Sequence, residues 1–122
     1  RIFNIVRDAR DAAVAAVQSA LKAGQPIRGC DVDDVCRGVI VAQGFGPNFI
    51  HRTGHGIGLE EHEDPYIVEG NALPLAAGHA FSIEPGIYVP GKWGMRLEDI
   101  AVATDDGPLR LNNSDHSLVA LP

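Results

Sequence analysis

Glycines at alternate positions, Gly54, Gly56 and Gly58, constrain this chain more than any other feature. Each would cost a helix interior roughly 1 kcal/mol, so the segment from His51 to Leu59 is predicted to be extended. Successive side chains of an extended chain alternate sides, which places all three glycines on one face and His51, Thr53, His55, Ile57 and Leu59 on the other. A face without Cβ atoms lets a neighbouring backbone or a ligand approach closely. Two imidazoles occupy the opposite face, and His62 follows shortly after.

The residues before Gly44 follow a different rule. Apolar side chains recur at Ile2, Ile5, Val6, Ala9, Ala13, Ala16, Val17, Ala20 and Leu21, the three-and-four spacing of an amphipathic helix, and Gly24 and Pro26 end it. Asp31 is expected as the N-cap of a second helix with Asp34 in its first turn, and Val32, Val35, Cys36, Val39 and Ile40 form its apolar stripe up to about Gln43. Beyond Gly44 strands take over. Phe81 to Val89 alternates, Gly94 to Thr104 is a second strand, and Pro90 to Trp93 turns between them. Asp105 to Pro108 makes a further turn before a short strand at Leu109 to Leu111. Helices first and antiparallel strands second is an α+β order, in which two helices each bury one face against a sheet.

A turn centred near Gly91 sets Glu84 opposite Glu98 on one face of the hairpin, with Cβ atoms about 5 Å apart. Like charges so placed either point into water or share a cation or a proton. With His51, His55 and His62 close in sequence, the donor types are those that hold first-row transition metals. Three familiar motifs do not fit. Position 52 is Arg rather than the Glu of HExxH, the Gly spacing with Leu59 is not a phosphate-binding turn, and Cys36 and Ala42 stand where a calcium loop needs Gly and Glu.

At 122 residues and 45% apolar content the chain allows one core, and residues 1–122 are expected to form one unit. A net charge of -6 without any basic run argues against nucleic acid, and the apolar runs are too short to span a membrane. Cys30 and Cys36 match no redox or zinc spacing and are expected to be reduced, structural thiols in a cytoplasmic protein. The start at Arg1, inside a helical pattern, suggests a fragment.

The run from His51 through Gly-His-Gly-Ile-Gly to Pro65, with Ile83-Glu-Pro-Gly-Ile-Tyr88 and Gly94-Met-Arg-Leu-Glu-Asp99, resembles the C-terminal part of the pita-bread metallopeptidases. Within them it is most similar to the Xaa-Pro aminopeptidases and Xaa-Pro dipeptidases (prolidases). The resemblance implies two N-terminal helices on a curved antiparallel sheet, and a dinuclear centre of manganese, or of cobalt, zinc or iron. It implies His55, Glu84 and Glu98 as metal ligands, with Glu84 also a proton shuttle. His51 and His62 would contact substrate and the transition state, and Arg96 would bind substrate, a peptide with proline at its second position. The family's two aspartate ligands would precede Arg1, so the isolated chain is expected to be inactive, to hold at most one metal weakly, and to self-associate as a homo-oligomer. Methionine aminopeptidases share Gly-His-Gly-Ile-Gly, and non-catalytic relatives share the fold, so both are kept as alternatives.

Overall fold

The apolar stripe that begins at Ile2 becomes α1, Ile2–Lys22, in the computed structural model, which describes residues 1–122. Ile5, Val6, Ala9, Ala13 and Val17 are buried along it, as the periodicity predicts. Arg10 is buried in the same stripe, which apolar spacing did not foresee. Its Nε lies 3.4 Å from Asp99, whose carboxylate also meets the Arg110 Nε at 2.9 Å. A carboxylate this deeply buried needs opposite charge, and these contacts tie α1 to the two strands that carry Asp99 and Arg110.

The second helix, α2, runs Gly29–Ala42 and so begins three residues earlier than expected. Asp31 is not its N-cap. Arg28 takes that position in an extended conformation, and Asp31, in the first turn, accepts the Arg28 backbone N–H at 2.8 Å. The carboxylate thus serves the helix start from inside, the reciprocal half of a capping box, while the guanidinium at the N-cap, which has no acceptor for a backbone N–H, donates to that same carboxylate. That guanidinium and the two hydrogen bonds it donates hold the Asp31 carboxyl at about 2. At the other end Gly44 adopts φ +82°, which a residue with a Cβ rarely takes, and the helix stops where predicted.

Seven strands follow: β1 Gly54–Gly56, β2 Glu63–Ile67, β3 Ala80–Ile83, β4 Gly86–Val89, β5 Trp93–Arg96, β6 Asp99–Thr104 and β7 Gly107–Arg110. A five-stranded antiparallel sheet has the order β2-β1-β3-β6-β7, and β4 pairs β5 in a separate ribbon. The single hairpin expected from Phe81 to Thr104 is therefore divided. Pro85 has no N–H to give the ladder toward β6, while the Glu84 N–H points the other way and bonds the Thr53 carbonyl at 2.7 Å, in register with the β1–β3 pairing. Both parts nevertheless keep one register, with Ile83 opposite Asp99 and Gly86 opposite Arg96, so Glu84 and Glu98 face each other across the gap in the ladder. The short strand expected near Leu109 is present as β7.

The extended segment around His55 is also shorter than predicted. Only Gly54–Gly56 is strand, His51 lies in a bend before it, and Leu59 is fully exposed after it. The bare glycine face is used as expected. A Cβ on Gly54 would overlap the Ser82 carbonyl oxygen, and one on Gly56 the Asp64 carbonyl, because β3 and β2 close on β1 from its two sides.

One apolar cluster joins Val6, Ala13 and Val17 of α1, Val32 and Ile40 of α2, and Phe81, Ile83, Ile87 and Ala101 of the strands. No helix is long and apolar enough to cross a membrane. Cys30 and Cys36 are both free, and burial pushes the Cys36 thiol up to about 12. The thiolate is the reactive form, so a thiol reagent at neutral pH is expected to label Cys30 alone in the folded protein and both cysteines in denaturant. Rapid labelling of two thiols in the native state would contradict this placement of Cys36.

Candidate active site

The break after β3 delivers Glu84 to one end of the sheet, where β1 delivers His55. Both are buried, and the His55 Nε2 lies 3.1 Å from the Glu84 Oε1. The Ser82 hydroxyl stands between the two strands: it accepts the His55 N–H at 3.1 Å and donates to the Glu84 Oε1 at 2.9 Å. Around this pair a cleft of about 430 Å³ is lined by His51, Arg52, His55, His62, Val68, Glu84 and Arg96. Val68 is its one apolar residue, so the cleft is built for polar chemistry.

Hydrogen-bond partners fix the tautomer of both inner imidazoles. The His55 Nδ1 is 2.9 Å from the Gly56 carbonyl, and a carbonyl oxygen only accepts, so Nδ1 carries the hydrogen. A neutral His55 then turns the lone pair of Nε2 toward a carboxylate oxygen. Two electron pairs facing each other at 3.1 Å call for a proton or a metal cation between or beside them. The same reasoning applies to His51, whose Nδ1 meets the Arg52 carbonyl at 2.7 Å and leaves Nε2 buried with no hydrogen-bond partner. Burial lowers the His51 pKa, with the Arg96 charge adding to the effect against the Arg52 carbonyl, and favours the neutral ring. Phe49 and Tyr88 hold that ring edge-on, at centroid distances of 5.1 and 5.5 Å.

The outer wall is more open. His62 is exposed and its ring lies 4.2 Å from that of His55, tilted by 53°. Arg96 reaches the Glu84 Oε2 at 3.3 Å, while its side chain remains 42% accessible and lies over the Tyr88 ring. A half-exposed guanidinium beside a cleft can receive an anionic group from solution.

The structure thus brings together His51, His55, His62, Glu84 and Arg96. Glu98 stands apart: it is exposed and lines the adjoining hollow with Arg10, Asp99 and His116. No three His, Cys, Asp or Glu side chains converge as closely as a metal ion requires. The donor chemistry nevertheless fits a divalent cation, because an imidazole nitrogen and a carboxylate oxygen point at one spot with the Ser82 hydroxyl fixing the carboxylate. Sequence reasoning missed Ser82, Arg52 and Val68. Ser82 had a signal, since it shares a strand face with Glu84; Arg52 and Val68 had none that spacing could show.

The sequence pattern of metallopeptidase family M24 matches residues 1–105. The chain belongs to that family. It is 48% identical over 120 residues to a protein of Mycobacterium tuberculosis named "Probable dipeptidase PepE", covering 98% of this chain and 30% of that one. It is 44% identical to the Xaa-Pro dipeptidase of Lactobacillus helveticus, covering 99% of this chain and 31% of that one. Among solved structures it superposes on the prolidase of Thermococcus sibiricus with a TM-score of 0.90 at 43% identity, over 98% of this chain and 31% of that one. The methionine aminopeptidase of Rickettsia prowazekii, with a TM-score of 0.67 at 21% identity, shares the fold alone. The architecture is that of the pita-bread prolidases, and the chain spans about 30% of the length of these curated relatives.

Proposed function

We propose that this chain is part of the catalytic domain of a metal-dependent peptidase that cleaves the bond between a first residue and a following proline. The observation that carries the proposal is the His55 Nε2 facing the Glu84 Oε1 at 3.1 Å inside a cleft that also holds His51, His62 and Arg96. The relatives named Xaa-Pro dipeptidase support the substrate class. His55 and Glu84 are proposed to hold metal, and Glu98 to join them from the register position opposite Glu84. Two divalent ions, manganese in first place, would supply Lewis-acid polarisation of the scissile carbonyl when bound.

The chain's own residues do the rest. Arg96 offers a planar fork to the carboxylate of a dipeptide, which positions the peptide with its scissile bond over Glu84. His62, at the open rim, donates a hydrogen bond to the oxygen that gains charge as the carbonyl is attacked. His51 presents a bare, desolvated Nε2 and accepts a hydrogen bond from a substrate N–H, which the proline nitrogen of the scissile bond lacks and the substrate's amino terminus supplies. Glu84 accepts a proton from the water that attacks the scissile carbonyl and passes it to the proline nitrogen as the C–N bond breaks. By themselves the 122 residues bring two of these donors together, and they are proposed to bind one metal weakly without turnover.

A comparison of Ala-Pro with Ala-Ala hydrolysis by the full protein, with manganese and then with a chelator, tests this reading. Turnover selective for Ala-Pro and lost to the chelator is expected. Equal cleavage of both dipeptides, or cleavage indifferent to the chelator, would overturn it.

A further inference from the structure

An ion pair on α2 lies outside the cleft and has no part in the roles above. Asp33 is fully buried, and its carboxylate receives the Arg37 Nε at 2.9 Å and Nη2 at 3.0 Å, a fork across one helical turn. Both partners then reach out of the helix to the segment that carries His51. Arg37 donates to the Phe49 carbonyl at 3.0 Å and to the His51 carbonyl at 2.9 Å, with its guanidinium 4.2 Å from the Phe49 ring centroid. Asp33 accepts the Thr53 N–H at 3.1 Å and the Thr53 hydroxyl at 2.7 Å. The Thr53 carbonyl in turn accepts the N–H of Glu84 at 2.7 Å.

We propose that Asp33 and Arg37 are positioning residues for the cleft, setting His51 directly and Glu84 through Thr53; this rests on the peptidase reading above. Between Asn48 and Gly54 the chain has no ladder or helix to satisfy its backbone, so the groups that Asp33 and Arg37 bond have no regular partner. Those bonds fix the height and direction of the two residues that the chemistry uses. Arginine is required, because its five coplanar donors reach the carboxylate and two carbonyls together, whereas a lysine ammonium satisfies one of them at a time. The bond to Asp33 also holds the Arg37 guanidinium above its usual range, so the fork stays charged.

The test is Arg37→Lys in the full protein. The kcat for Ala-Pro is expected to fall about tenfold to a hundredfold, as a small misplacement of reacting groups costs, while KM stays within about threefold. Ile40→Val, a core change on the same helix that touches none of these groups, should keep kcat at a comparable loss of Tm. Equal kcat losses in the two variants would overturn the proposal. Thr53→Val removes the hydroxyl bond to Asp33 with little change of shape and should move kcat in the same direction, which keeps the test open should Arg37→Lys fold poorly. Amide exchange at Thr53 and Glu84, measured against Val17 in α1, is expected to quicken in Arg37→Lys, and unchanged protection there would also overturn it. If the wild type leaves Ala-Pro intact, the peptidase reading falls, and amide exchange alone decides the positioning.

Discussion

Glu84→Gln is expected to lower kcat on a proline dipeptide by about 10²- to 10⁴-fold, the range lost with a group that handles protons in the transition state. The change is nearly isosteric. A glutamine keeps one oxygen for the Ser82 hydroxyl, which lies 2.9 Å from Oε1, but it removes the charge that faces the His55 Nε2 and the Arg96 guanidinium. It also cannot take up a proton from the attacking group. Since Arg96 and not Glu84 is proposed to hold the substrate, KM should move much less than kcat. Steady-state kinetics on the full protein measures both constants, and a kcat within about threefold of wild type would remove Glu84 from the chemistry.

Gly54→Ala is expected to destabilise the fold by about 3 kcal/mol or more, a cost at the upper end of those for overpacking. The reason is the partner that the new methyl group meets. It would sit on the Ser82 carbonyl, part of the β3 backbone, which cannot rotate away as a side-chain tip can. Separating β1 from β3 would also break the bond from the His55 N–H to the Ser82 hydroxyl, so metal affinity should fall with stability. Gly38→Ala is the matched control. Gly38 is exposed in α2 with open space around it, and alanine there should stabilise the helix by roughly 0.5–1 kcal/mol. Urea unfolding of the two variants reads the opposite signs; a Gly54→Ala protein as stable as wild type would mean that β1 and β3 lie farther apart than described.

The parts of the fold that were legible in the sequence are those governed by local periodicity. The stripe from Ile2 to Leu21 fixes α1, and the alternation around Gly91 fixes the register that sets Glu84 opposite Glu98. What escaped is what one residue does to a distant one. Nothing in the spacing says that the Glu84 N–H bonds Thr53, that Arg10 turns inward because Asp99 is buried beside it, or that Asp33 turns to Thr53 twenty residues away. The site shows the same division. The Gly-His-Gly-Ile-Gly run pointed to His55, and the hairpin pointed to Glu84, but the proximity of their side chains depends on Ser82 and on the break at Pro85. The Asp33–Arg37 pair did leave a trace, opposite charges four residues apart on a helix, yet the same spacing is common on solvated faces.

A metal site built on His55 and Glu84 underlies every role proposed for the cleft. Calorimetric titration of manganese into chelator-stripped wild type, His55→Ala and Glu84→Gln protein measures it without any need for turnover. Each variant is predicted to bind at least about tenfold more weakly than wild type, a loss of about 1.4 kcal/mol or more. Manganese binding of equal affinity and stoichiometry in all three proteins would contradict the assignment.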